Sequence, residues 1–268
     1  MPSDHQLDRL SDFLSSPPPA SGGQWRQILG VRFFVGSAQE TVALGILGGL
    51  VVVPSAPVLV NAVEDSATQA ALLESDMAIT DSGLMILYWN LTRRERLRRV
   101  SGLEYLKLLL EESALRKPGA VLWVMPNESA IRRNAIWLEE QGFPVSPESF
   151  YLAPLYPAGP VTDPALLAIV EARKPAHIIM AIGGGVQERL GHYLKTHASY
   201  RPAIHCTGAA IGFLNGDQVR IPTWGDRYFL GWLFRCFRSP ATFIPRYWNA
   251  RKLIALLWRF GERLPERR

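Results

Sequence analysis

From Val31 onward, short apolar runs alternate with longer stretches in which apolar residues recur every three or four positions. Val31–Val35 predicts a strand. Ser37 with Glu40 three residues on has the form of a capping box, opening a helix to about Leu47. Leu50–Val53 predicts a second strand, stopped by Pro54. A helix over Ser66–Ser75 and a strand at Met77–Ile79 follow, leading into Asp81-Ser82-Gly83. Gly102–Arg116 predicts a helix with Leu103, Leu106, Leu109 and Leu110 on one stripe. Further strands are predicted at Ala120–Met125, Ser149–Ala153, Ala176–Ala181 and Ala203–Cys206. Helices at Ser129–Gln141, Pro164–Arg173 and Val186–Thr196 separate them. Uninterrupted apolar strands alternating with helices predict a parallel sheet covered on both faces. In such sheets ligands bind beyond the carboxyl ends of the strands. Three loops stand there: Pro54–Pro57, Asp81–Gly83 and Gly183–Glu188.

Composition changes this picture at the two ends. Ser15–Gly23 is a Ser/Pro/Gly segment, so residues 1–24 are expected to be flexible; they lack the charged and apolar order of a signal peptide. The longest apolar stretch, Val42–Val53, falls far short of the roughly 20 residues a spanning helix needs. The final segment, Trp224–Arg268, holds ten Lys/Arg against three Asp/Glu and four of the eight Trp. The whole chain carries +5, so everything before Trp224 carries a net −2. Rings interleaved with arginine suit a surface that meets anionic head groups. They equally suit helices docked on a core, with Arg stems lying over apolar surface, or the stacking of single-stranded nucleic acid. Cys206 and Cys236 make no disulfide framework, which fits a reducing compartment, and the five scattered His form no metal-ligand spacing.

Gly183–Gly185 frees the backbone to approach a phosphate at a helix N-terminus. The loop lacks the spacing of a dinucleotide fingerprint and has no Walker lysine, which argues against a nucleotide-dependent oxidoreductase. Gln187 and Glu188, in the first helical turn, either bond a sugar or nucleoside or cap the helix. Asp81, at a strand end, is either a general base for a hydroxyl nucleophile or the N-cap of a following helix over Gly83–Leu91.

Taken in order, these loops and the tail resemble the TagA/WecG/CpsF glycosyltransferases. The stretch VVPSAPVLVNAVEDSATQAALLESDMAITDSG is similar to the family's N-terminal motif. Arg99-Val100-Ser101-Gly102 matches R-V-[ST]-G, and AIGGGVQE matches G-x-G-x-P-x-Q-E. GAAIGFLNGDQVRIPTWGDRYFLGWLFRCFRSP matches the motif around F-D-F, and Arg246-Tyr247 the late R-Y. The resemblance runs from about Val31 to Trp248.

It implies inverting, metal-independent transfer of a sugar from a UDP-sugar to a polyprenyl-diphosphate-linked sugar, at the inner face of the cell membrane. On the matching positions, Asp81 is the catalytic base. Ser55, Arg99, Gly183, Gly184, Gln187, Glu188, Arg235 and Arg246 bind substrate. No metal, other cofactor or nucleic acid is called for, and the oligomeric state is left open. The expected architecture is α/β: a Rossmann-like domain over residues 25–223 and a basic, aromatic membrane-associating appendage over 224–268. Departures are specific. Val53 stands for the Thr of T-P-N, Ser55 for its Asn, and Gly212 for the Asp of F-D-F. Gly185 replaces the Pro of the Gln-Glu motif, and Ala241-Thr242 an Arg pair. These losses leave open a donor other than the family's usual N-acetylmannosamine, or a non-catalytic member that binds lipid-linked sugar or scaffolds an assembly complex.

Overall fold

A computed structural model of the chain describes residues 25–93, 95–216 and 248–266. One sheet organises it, built from β1 (Trp25–Ile28), β2 (Val31–Phe34), β3 (Gly49–Val52), β4 (Met77–Ile79), β5 (Val121–Met125), β6 (Phe150–Leu152), β7 (His177–Met180) and β8 (Ala203–Cys206). Their order is β1-β2-β4-β3-β8-β7-β5-β6, and every pairing is parallel except the β1–β2 hairpin. That hairpin turns through Leu29 and Gly30, both at positive φ, the twist a two-residue turn requires. The predicted parallel α/β sheet is therefore the observed one.

Helices cover both faces. On one lie α1 (Ala38–Gly45), α5 (Gly102–Glu111) and α6 (Glu128–Glu140), which bury Val42, Tyr105, Leu106, Leu109 and Leu138 against Val51, Ile79 and Trp123. On the other lie α2 (Ala56–Asn61), α3 (Ser66–Leu73), α4 (Gly83–Arg93), α7 (Pro164–Arg173), α8 (Val186–His197) and α9 (Lys252–Phe260). Ser37 and Glu40 form the expected capping box of α1. The predicted helix over Gly102–Arg116 ends at Glu111 and finishes as a 3-10 turn over Ser113–Arg116. Two elements, β1 and α2, are not legible in the apolar pattern. The proline-rich string that opens α2 reads as loop, although proline is tolerated in a first helical turn.

Residues 1–24 and 217–247 lie outside the described residues, so the expected flexible start and most of the appendage do too. The described part of the tail is bound into the fold. Leu253 and Leu257 of α9 are 0% and 1% exposed, packed with α4 and α2. Beyond α9 the chain returns to the first hairpin, where Leu29 N donates to Gly261 O at 2.8 Å and Gly30 N to Glu262 O at 2.9 Å. No helix among the described residues is long and apolar enough to cross a membrane.

Candidate active site

Asp81 follows β4 and is held by the segment that leads into α5. Thr80, fully buried, donates from Oγ1 to Arg98 O at 2.8 Å and accepts from Val100 N at 3.3 Å. Arg99 Nε donates to Asp81 O at 2.6 Å, and one of its terminal nitrogens stands 3.4 Å from Asp81 Oδ1. The same Oδ1 accepts from Gly102 N at 3.1 Å, in the first turn of α5. The Asp81 side chain keeps 23% exposure. It is not the cap of α4: Met85 N, at 3.3 Å, bonds Ser82 Oγ instead. Each residue of Arg99-Val100-Ser101-Gly102 has a task. Arg99 clamps Asp81, Val100 is buried, and Ser101 Oγ caps α5 by accepting from Glu104 N at 3.1 Å. At Gly102 an added Cβ would stand 3.1 Å from Val53 Cγ1, so a larger residue would press on the end of β3.

On the far side of the rim, β7 runs into Gly183-Gly184-Gly185 and then α8. Gly183 and Gly184 are exposed, and a Cβ at Gly183 would meet open space. Gly185 has φ +89°, a conformation glycine adopts without strain. Gln187 and Glu188 turn inward, 3% and 0% exposed. Glu188 Oε2 accepts from Gly185 N at 2.5 Å, and its Oε1 accepts from Gln187 Nε2 at 3.0 Å. Gln187 Oε1 accepts from Gly208 N at 2.8 Å, tying this loop to the end of β8. Burial pushes the Glu188 carboxyl group up from its ordinary range, against the hydrogen bonds it accepts. Of the two readings of this pair, the cap is the one the contacts display.

Between these two sides lie the ends of β3 and β8. Val53 and Pro54 are buried, and Ser55, half-buried, sits at the N-cap of α2 without a side-chain cap bond. Thr207 follows β8; Gly208–Phe213 then forms a 3-10 turn that buries Gly212, leaving no side chain where the family motif has its second carboxylate. Beneath, on the α5 face, the Tyr105 hydroxyl and His205 Nδ1 are 2.8 Å apart, and His177 Nδ1 lies 3.3 Å from His205 Nε2. Burial lowers the pKa of His177 to about 4 and that of His205 well below its ordinary value.

Residues 26–268 match the model of the glycosyl transferase WecG/TagA/CpsF family. The chain belongs to that family. Comparison with curated proteins gives no match. For a WecG/TagA/CpsF glycosyl transferase, the rim at the carboxyl ends of β4-β3-β8-β7 is the candidate site of sugar transfer. The fold brings Asp81 and Arg99 into contact, and groups Gly183, Gly184, Gln187 and Glu188 in one loop, with Ser55 on the rim between. Arg235 and Arg246 lie outside the described residues. Among the described residues no group of three His, Cys, Asp or Glu stands together to hold a metal ion. The sequence reading does not single out Thr207. Its place just beyond an apolar strand and close to a glycine is the kind of signal that marks Asp81, two residues beyond β4 and two before Gly83.

Proposed function

We propose that this glycosyl transferase is an inverting, metal-independent enzyme of cell-surface polysaccharide synthesis. It moves a sugar from a UDP-sugar to a sugar carried on a polyprenyl-diphosphate lipid. The observation that carries the reading is the placement of Asp81 and the exposed Gly183–Gly184 backbone on one rim of the sheet. They follow β4 and β7, three inter-strand spacings or about 14 Å apart. A diphosphate and a hexose laid along the rim span that gap. The diphosphate rests on the Gly183–Gly184 backbone at the N-terminus of α8, where the helix dipole favours negative charge. Gln187 and Glu188 serve the donor site by holding this loop in shape. Asp81 takes the proton from the acceptor hydroxyl as that oxygen bonds to the anomeric carbon. The bond to UDP breaks in the same displacement, and its electron pair leaves on the β-phosphate. Arg235 and Arg246 neutralise the phosphate charge, and Arg99 orients Asp81.

Membrane contact is supported by the outer side of α9 and the residues just before it. Trp248, Ile254 and Trp258 are 63%, 43% and 80% exposed, and Leu87 and Leu91 on the neighbouring α4 are 60% and 79% exposed. Arg251 stacks over the Trp248 ring at 3.8 Å. Rings and guanidinium groups in this arrangement suit an anionic leaflet.

The test is transfer from a panel of UDP-sugars to a lipid-diphosphate-linked acceptor, run with excess chelator. Transfer is expected to persist. A strict need for Mg²⁺ or Mn²⁺ would overturn the account of the diphosphate site. A second reading, a non-catalytic binder of lipid-linked sugar, draws on the missing side chain at Gly212 and the missing hydroxyl at Val53; donor binding with no turnover for any donor and acceptor pair would favour it.

A further inference from the structure

We infer that the Thr207 hydroxyl reads the sugar being transferred, by hydrogen bonding to a hydroxyl or acetamido group of the donor hexose. This rests on the proposed glycosyl transfer at the rim. Thr207 is 7% exposed, and its Oγ1 is buried with no hydrogen-bond partner among the described residues. A buried hydroxyl without a partner costs stability, and valine has the same shape without that cost. The other such atom, Arg32 Nε, is remote from the rim, on the edge hairpin with its guanidinium over Trp25.

The location decides what the hydroxyl is for. β8 lies between β3 and β7, and the register that pairs Val52 with Cys206 sets Val53 alongside Thr207. Thr207 O would lie 3.8 Å from a Cβ on Gly102, the residue whose amide bonds Asp81. The next residue, Gly208, gives its amide to Gln187 in the glycine loop. Thr207 thus stands on the floor between the base and the diphosphate loop, the stretch that the transferred sugar occupies. Its neighbours Val53, Gly102 and Gly208 have no polar side-chain atoms. A threonine hydroxyl both donates and accepts, so it matches a sugar hydroxyl or an amide carbonyl. Because Oγ1 is closed off from solvent, the proposal requires the strand-end loops to part when the donor binds.

The experiment compares wild type, Thr207→Val and Thr207→Ser for binding of UDP, UDP-glucose, UDP-N-acetylglucosamine and UDP-N-acetylmannosamine, alongside thermal melting. Thr207→Val is expected to bind UDP as wild type does and to lose about tenfold in affinity for the sugar donor that wild type prefers. Thr207→Ser should restore most of that loss, and the melting temperature of Thr207→Val should be unchanged or higher. Donors lacking single hydroxyl or acetamido groups, tested on wild type and on Thr207→Ser, extend the comparison to folded protein even if Thr207→Val fails to fold. One such donor should bind about tenfold more weakly than its parent. Equal donor affinity in wild type and Thr207→Val would overturn the assignment, as would equal loss of UDP and donor. A lower melting temperature with unchanged donor binding would make the hydroxyl structural. If no deoxy donor binds more weakly than its parent, the assignment also falls. Failure of wild type to bind any UDP-sugar would instead overturn the glycosyl-transfer reading, and this inference with it.

Discussion

Asp81 is placed by residues 18 to 21 positions further along the chain: Arg99 grips its carbonyl and Gly102 its carboxylate. The proposed base is therefore aimed by a loop and a helix start as much as by its own strand. Asp81→Asn keeps the shape of the side chain and removes its basicity. Transfer should fall by about 10²-fold or more, with UDP-sugar affinity nearly intact, in paired turnover and binding assays. Turnover like that of wild type would leave Asp81 a structural residue at the start of α5. Arg99→Ala should act through Asp81: kcat is expected to fall by about tenfold while KM for the donor changes little, because a misplaced base loses rate before binding. Donor affinity and kcat falling together would give Arg99 a direct contact with the donor instead.

At the scale of elements, α9 has a buried side and an exposed side, and they can be tested separately. Leu253 and Leu257 belong to the core, so Leu257→Ala should cost about 3 kcal/mol of stability in denaturant unfolding. Trp258, 80% exposed, should be replaceable by Ala with little change in stability. The Trp248→Ala/Trp258→Ala pair should lose binding to anionic liposomes, and added salt should weaken what remains. Unchanged liposome binding would make the exposed rings incidental. The division also bears on what the sequence disclosed. Strands and helices with apolar patterns, from Val31 to Cys206, fall within a residue or two of their predicted bounds, because burial on a sheet leaves a strong periodic trace; the exception is the helix from Gly102, which ends at Glu111 and not at Arg116. β1 and the six-residue α2 leave almost none. The sequence pointed to Asp81 and the glycine loop through their positions after strands, and to Arg99 through the family resemblance alone. It left Gln187 and Glu188 open between ligand contact and helix cap, and the fold shows Gly185 N and Gly208 N in their grip. That is a three-dimensional fact with no linear signature.

For the molecule as a whole, the two clusters of buried side chains meet the same sheet from opposite faces, and its middle strands carry His177 and His205, 3% and 0% exposed. Burial holds His177 down to about 4, below its ordinary value near 6.5, with His205 displaced the same way. The unfolded chain therefore takes up protons first as pH falls. Stability is complete above about pH 6.5 and is lost as pH drops toward 4; by pH 5 the loss from His177 is on the order of 2 kcal/mol. Denaturant unfolding at pH 7.5 and pH 5 measures it, and His177→Gln should shrink the difference. No change between the two pH values would mean that these imidazoles are not held neutral. The hydrogen bonds from Leu29 and Gly30 to Gly261 and Glu262 have a consequence for biosynthesis. Gly261 and Glu262 lie 232 positions beyond the hairpin residues they bond, so that edge stays open until α9 and the turn after it have been made. A polypeptide ending early, before α9, would be left with apolar sockets on α2 and α4 open, the kind of surface that chaperones and proteases recognise. Closure of the hairpin edge thus waits on α9.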